Sequence, residues 1–262
     1  MCGFIGFSGN LDNKEAILQK MMDRIVHRGP DMGGMYTDDG IALGFRRLSI
    51  LDLSDAGAQP MANEDKSVVV VFNGQIYNFM EPRRELEAKG HTFHCGADTE
   101  VLIHGYEEYG TELIYRLRGM FAFVLWDAKN KRMFGARDIF GIKPFYYYPV
   151  PDGSGLVFGS EIKAFLEHPK FVKAVNEKAL RPYLTLQYSA TEETFFKGVY
   201  KLPAAHMFTW KKGELKCMRT ARWTCAASGT ANSTRSRRAL KPARTSWTKW
   251  CTNPWPPTAL RT

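Results

Sequence analysis

The chain has no run of about eighteen apolar residues, which argues against a membrane-spanning helix. Its first twenty residues include Asp12 and Glu15, where a secretory signal would be apolar. With 44% hydrophobic and 24% charged residues over 262 positions, the composition is typical of a soluble globular protein. We therefore expect a cytoplasmic protein that does not bind a membrane.

Cysteines with the spacing of a disulfide framework or a zinc site are also absent. The five cysteines are odd in number and scattered: Cys2, Cys95, Cys217, Cys225 and Cys251. His91, His94 and Cys95 lie close together, but no fourth ligand is nearby, so no metal site is expected. A phosphate-binding P-loop and a GxGxxG fingerprint are missing as well, which argues against nucleotide binding.

Acidic residues are absent after Glu214, whereas ten of the 36 basic residues follow it. The net charge of +9 therefore comes from this tail, and nucleic acid is not an expected partner because basic charge without a folded motif is weak support. From about Thr224 the sequence loses apolar periodicity and nearly all large aliphatic residues. Too little can be buried there to offset the ordering cost, so we predict disorder.

The N-terminal residues Met1–Phe7 carry the first sign of chemistry. If Met1 is removed, Cys2 combines a thiol with a free α-amine. An α-amine has an ordinary pKa of about 8 and can accept the thiol proton. The apolar, glycine-punctuated residues that follow predict a buried strand that would hold this terminus in place. Taken alone, however, a cysteine after the initiator is equally well explained as a chance small residue.

The remaining pattern alternates short strands with helices, and many strands lie close enough in sequence to pair antiparallel. Two packed sheets covered by helices are therefore predicted. Strands are expected over 41–45, 67–72, 121–126, 132–136, 144–148 and 156–159, and helices over 14–26, 82–90, 99–109, 161–166 and 177–183.

Three further positions are candidates for binding or catalysis. Asn73-Gly74 follows a valine-rich strand and could form an oxyanion hole, although taken alone a turn is favoured. Arg47 lies among apolar residues and must either form a structural ion pair or bind an anionic group such as a carboxylate. Asp98 could bind an ammonium group, but taken alone an N-cap of the following helix is favoured.

Six ordered blocks stand out within residues 1–210. They are Met1-Cys2-Gly3, His27-Arg28-Gly29-Pro30-Asp31, Arg47-Leu48-Ser49-Ile50 with Gly57-Ala58-Gln59-Pro60, Asn73-Gly74-Gln75-Ile76-Tyr77-Asn78, Arg137-Asp138 with Gly141-Ile142-Lys143-Pro144, and Ser160-Glu161-Ile162-Lys163. Together these blocks resemble the glutaminase half of glutamine-dependent asparagine synthetases.

That resemblance implies an α+β N-terminal-nucleophile hydrolase fold, a four-layer αββα sandwich of two antiparallel sheets. It also implies hydrolysis of glutamine to glutamate and ammonia through a thioester on Cys2, without a metal or another cofactor. Asn73 and the Gly74 N–H would stabilise the oxyanion, Arg47 would bind the glutamine carboxylate and Asp98 its ammonium group.

The resemblance further implies that the glutamine pocket is lined by two segments. These comprise Arg47, Leu48, Ser49, Ile50 and Leu51, and then Asn73, Gly74 and Gln75. Gln75 departs from the family, where glutamate is commoner, and the lost charge could weaken recognition of the ammonium group.

The resemblance predicts two regions, a glutaminase domain over 1–215 and a basic tail over 216–262. In the family, a synthetase domain that uses ATP and Mg follows, and its pyrophosphate loop is not found in this sequence. We therefore expect glutaminase activity alone, with a homodimer and a separate synthetase domain or subunit as candidate partners. The tail is interpreted as a frame-shift product, and the alternative function is a non-catalytic remnant or interaction module.

Overall fold

Two six-stranded antiparallel sheets dominate the computed structural model, which describes residues 1–48, 57–189 and 191–221. All of these residues belong to one compact unit, Met1–Trp223. The first sheet has the order β10-β8-β9-β1-β3-β2 and the second β12-β11-β7-β6-β5-β4. The strands are β1 (Gly3–Ser8), β2 (Met32–Thr37), β3 (Ile41–Arg47), β4 (Met61–Ala62), β5 (Val68–Ile76), β6 (Gly119–Asp127), β7 (Arg132–Arg137), β8 (Tyr146–Pro149), β9 (Leu156–Gly159), β10 (Tyr200–Lys201), β11 (His206–Lys211) and β12 (Glu214–Arg219).

Helices cover the outer faces of both sheets. Short 3-10 helices accompany them and include Val26–Arg28, Gly110–Arg116 and Ile162–Glu167. The α-helices are α1 (Lys14–Asp23), α2 (Met80–Ala88), α3 (Thr99–Tyr109) and α4 (Glu177–Leu186).

Alternation along the strands produces the layers, because successive side chains point to opposite faces of a sheet. In β1, Phe4 packs into the core between the two sheets, while Ile5 packs against α1 on the outer face. In β5, Val71 faces the core between the sheets and Val70 packs under α3. The result is a four-layer αββα sandwich, which confirms the predicted fold class.

Long-range pairing extends β5 beyond its predicted end. The strand continues through Asn73 and Gly74 to Ile76, which pairs with Gly119 at the start of β6. Asn-Gly has a strong local preference for turns, but nine consecutive pairs with β6 override it. The interpretation of Asn73-Gly74 as a turn is therefore wrong.

Helix boundaries agree with the sequence to different degrees. The helix predicted over 99–109 is confirmed as α3 with the same limits. The one predicted over 14–26 ends earlier, at Asp23, and a separate 3-10 turn starts at Val26. The helix predicted over 161–166 is a 3-10 helix from Ile162 to Glu167.

The domain limits remain predictions. Strand β12 contains residues on both sides of the predicted boundary at 215 and pairs with β11. Residues 222–262 lie outside the described part of the chain, so the predictions of disorder and of a frame shift are untested. Among the residues that are described, no helix is long and apolar enough to cross a membrane.

Candidate active site

Cys2 directly precedes β1, and hydrogen bonds hold both its backbone and the strand that follows it. Arg28 Nε donates to Cys2 O at 3.0 Å, and the same guanidinium pairs with Glu161 through Nη1 at 3.0 Å. Two residues further on, Phe4 N donates to Ser160 Oγ at 3.1 Å, and Ser160 N donates back to Phe4 O at 2.9 Å. These contacts join three of the six sequence blocks and fix the position of the cysteine.

The Cys2 thiol lies next to the residue that follows β3. Leu48 N donates to Cys2 Sγ at 3.4 Å, and the Cys2 side chain packs against the core between the two sheets. A backbone N–H aimed at sulfur stabilises the thiolate, the form that attacks a carbonyl. The start of the predicted Arg47–Leu51 segment therefore adjoins the sulfur, whereas Ser49, Ile50 and Leu51 lie outside the described residues.

A buried lysine adds positive charge near this thiol. Lys143 is 7% exposed, and burial lowers the pKa of its ammonium group, with the charge of Arg28 acting in the same direction and Cys2 in the opposite one. Cations near a cysteine favour its thiolate. Lys143 belongs to one of the six sequence blocks, but no role for it is predicted from the sequence.

Asn73 carries an unused donor inside the molecule. It follows Val69 and Val71 on the face of β5 that points between the sheets, and only 2% of the residue is exposed. Its Nδ2 has no hydrogen-bond acceptor among the described residues. Leaving a buried donor unpaired costs about 1–3 kcal/mol, so this amide is suited to an acceptor that arrives with a ligand.

The backbone N–H of Gly74 points to the open edge of β5. On either side of it, Phe72 N donates to Gln59 Oε1 at 2.6 Å and Ile76 N donates to Asp98 Oδ2 at 2.7 Å. Because alternate N–H groups of a strand point the same way, that of Gly74 projects between these two side chains. Strand β4 pairs with β5 nearer its N-terminal end, at Val69 and Val70, and does not pair with Gly74.

Asp98 precedes α3, but its side chain makes no capping hydrogen bond to that helix. It accepts the Ile76 N–H instead, which directs the carboxylate toward β5, and burial raises the pKa of this carboxyl group. Asp98 therefore occupies the predicted N-cap position of α3, but its side chain does not cap the helix. Gln75 lies between these positions on β5 and is exposed.

Arg47 ends β3 and is 8% exposed. A side chain at Gly57 would have its Cβ 3.1 Å from Arg47 Nη2, so the glycine makes room for the guanidinium. Gln59, two residues further on, joins β5 to α3 because its Nε2 also lies 3.4 Å from Thr99 Oγ1. The residues Gly57-Ala58-Gln59-Pro60 therefore support the arginine and the strand that carries Asn73, a role that was not predicted from the sequence.

Comparison with known proteins identifies the family. A family model described as a glutamine amidotransferase domain matches residues 1–223. Asparagine synthetase [glutamine-hydrolyzing] 1 of Bacillus subtilis (strain 168) is 40% identical over 214 residues, or 80% of this chain and 33% of that protein. Asparagine synthetase [glutamine-hydrolyzing] 2 of Arabidopsis thaliana is 44% identical over 167 residues, or 63% of this chain and 28% of that protein. The chain thus spans about a third of the length of the curated relatives.

Solved structures give the same fold at lower identity. Glutamine phosphoribosylpyrophosphate amidotransferase from B. subtilis, complexed with ADP and GMP, superposes with a TM-score of 0.62 at 18% identity. The match covers 84% of this chain and 49% of that one, and supports the two-sheet architecture alone. The family match and the asparagine synthetase relatives confirm the resemblance inferred from the six sequence blocks. The chain belongs to the glutamine amidotransferase domain family.

Proposed function

We propose that this chain hydrolyses glutamine to glutamate and ammonia, with Cys2 as the nucleophile. The observation that carries the proposal is the buried Asn73 Nδ2, which has no acceptor among the described residues and is followed directly by the Gly74 N–H. A side-chain amide donor next to a backbone N–H suits the oxyanion of an acyl-transfer intermediate. The names of the relatives, which are glutamine-hydrolysing asparagine synthetases, support glutamine as the substrate.

The proposed reaction begins once Met1 has been removed. Met1 is 55% exposed, which leaves it accessible for removal. The α-amine of Cys2 takes the thiol proton, and Sγ attacks the side-chain amide carbon of glutamine. Asn73 and the Gly74 N–H stabilise the oxyanion, and the amine then returns the proton to the departing ammonia. Water hydrolyses the resulting thioester to glutamate and regenerates the thiol.

Charge complementarity supports an amino acid as the ligand. Arg47 would bind the α-carboxylate of glutamine and Asp98 its ammonium group, with Leu48, Ser49, Ile50, Leu51 and Gln75 lining the pocket. The reaction needs no metal or cofactor. ATP and Mg belong to the proposed synthetase reaction, for which a separate domain or subunit would be required. A homodimer and a cytoplasmic location likewise remain predictions.

The test is ammonia release from glutamine by the purified chain, with its intact mass recorded and Cys2→Ala as the control. We expect turnover only in a chain that lacks Met1, and none with Cys2→Ala. A processed N-terminus without ammonia release would contradict the proposal and favour the non-catalytic remnant. With ATP, Mg and aspartate added, we expect no asparagine from this chain alone.

A further inference from the structure

Three side chains with metal-binding atoms meet outside the candidate active site. His91 follows α2, whereas His104 and Glu107 lie on α3. One ligand atom from each lies within 4.8 Å of the other two. Glu107 Oε2 is 2.9 Å from His104 Nδ1 and 3.6 Å from His91 Nδ1. Tetrahedral zinc, with bonds of about 2.0–2.2 Å, needs ligand atoms roughly 3.3 Å apart, so these two distances bracket the required one.

One hydrogen bond and one nearby carboxylate orient two of these side chains. Asn63 Nδ2 donates to Glu107 Oε1 at 2.6 Å, which leaves Oε2 directed at the two histidines. Glu100 Oε1 lies 3.8 Å from His104 Nε2, on the far side of the ring from Glu107. A carboxylate behind an imidazole is the arrangement that orients metal-bound histidines and raises their basicity.

The local charge also favours a cation. Four carboxylates lie near the histidines of this region: Glu64, Glu100, Glu107 and Glu108. Lys89 forms an ion pair with Glu108. Cys95 lies nearby but donates its thiol hydrogen to Glu100 at 3.1 Å, and burial raises its pKa to about 11. It is therefore a thiol at neutral pH and not a thiolate ligand.

We propose that His91, His104 and Glu107 bind one zinc-class divalent metal ion, with water in the fourth position. Two imidazoles and a carboxylate are a ligand set that zinc uses in proteins. Binding would displace the proton shared by His104 Nδ1 and Glu107, and would tie the segment after α2 to α3. The sequence predicts no metal site at His91, His94 and Cys95 because no fourth ligand lies near them along the chain, whereas His104 and Glu107 are brought to His91 by the packing of α3.

The experiment is a calorimetric titration of the full chain with Zn²⁺ after chelator treatment. It is run in a Cys2→Ala background, because the active-site thiol would itself bind zinc. His91→Gln and Glu107→Gln remove one ligand each, and the glutamine at 107 keeps an acceptor for Asn63. His94→Gln is the matched control, since His94 lies 3.7 Å from Glu64 but outside the three ligands.

We expect one equivalent of zinc to bind, with affinity lowered more than about 100-fold by His91→Gln or Glu107→Gln and unchanged by His94→Gln. Co²⁺ in place of zinc should give a tetrahedral visible spectrum without a thiolate charge-transfer band. The proposal is overturned if zinc does not bind stoichiometrically, or if the two ligand variants bind it as the parent does. A thiolate band, or an equal loss with His94→Gln, would also overturn it.

Discussion

Two buried asparagines differ in what their amide nitrogens contact, and this difference separates catalysis from stability. Asn73 Nδ2 has no acceptor among the described residues, whereas Asn176 Nδ2 donates to Thr194 O at 3.0 Å. We predict that Asn73→Ala lowers kcat for glutamine hydrolysis by about 10²–10³ and leaves the unfolding free energy nearly unchanged, since no hydrogen bond within the described fold is lost. Steady-state kinetics and urea denaturation check both halves.

Asn176→Ala is the control for this pair. It should lower the unfolding free energy by about 1–3 kcal/mol, because Thr194 O loses its buried donor, while kcat stays the same. The oxyanion role would be refuted if Asn73→Ala kept full turnover, or if its loss of turnover only followed a loss of folded protein.

Lys143 allows a test of charge at the thiol. Removing its ammonium group in Lys143→Met takes away a cation that interacts with Cys2. We therefore predict that iodoacetamide alkylates Cys2 more slowly in this variant than in the parent protein. Lys163→Met, which removes an exposed lysine paired with Glu161, should react at the parent rate. Equal rates for all three proteins would contradict this electrostatic effect.

The site was only partly predictable from single residues. A thiol and an α-amine on one residue can serve as nucleophile and base, so Cys2 could be proposed as a candidate nucleophile from the sequence. The roles of Asn73, Arg47 and Asp98 came from the resemblance, because each has a common structural explanation. Lys143 received no role, since the burial of an amine beside a thiol depends on contacts between residues about 140 positions apart.

At the level of elements, strand β5 depends on a residue without a side chain. A Cβ on Gly74 would lie 2.3 Å from Met120 O in β6, closer than any real contact. We predict that Gly74→Ala lowers the unfolding free energy by about 1–3 kcal/mol and also lowers glutaminase activity, because β5 must shift away from β6. Gly96→Ala is the control, since a Cβ there meets nothing within 4 Å. Equal denaturation midpoints for the two variants would show that β5 tolerates the added atom.

Element limits could be predicted where local and long-range forces agree. Helix α3 has the predicted limits because its apolar residues Leu102, Ile103 and Tyr106 all pack into the core beside the second sheet. The end of β5 could not be predicted, because Asn-Gly favours a turn locally and only pairing with β6 keeps it extended. Pairing partners distant in sequence are invisible to a pattern read along one segment.

At the scale of the whole molecule, two buried histidines respond to acid in opposite directions. Burial lowers the pKa of His168 to about 4, and its Nε2 has no partner among the described residues. His104 is also buried, yet its hydrogen bond to Glu107 raises its pKa. Acid therefore disfavours the folded form through His168, which packs edge-on against Phe7 of β1 at 5.0 Å.

The sign and size of the His168 effect can be predicted. In the unfolded chain its pKa is about 6.5, so the unfolded state binds the proton first as pH falls. Stability is thus unaffected above about pH 6.5 and decreases by about 3 kcal/mol between pH 6.5 and 4.

His168→Asn does not titrate and keeps an acceptor for the Lys170 N–H, so its unfolding free energy, measured by urea denaturation, should fall less over this range. Because His104 and the other titrating groups are present in both proteins, their contributions cancel in the comparison. Parallel pH profiles for the two proteins would mean that His168 is protonated in the folded state without penalty.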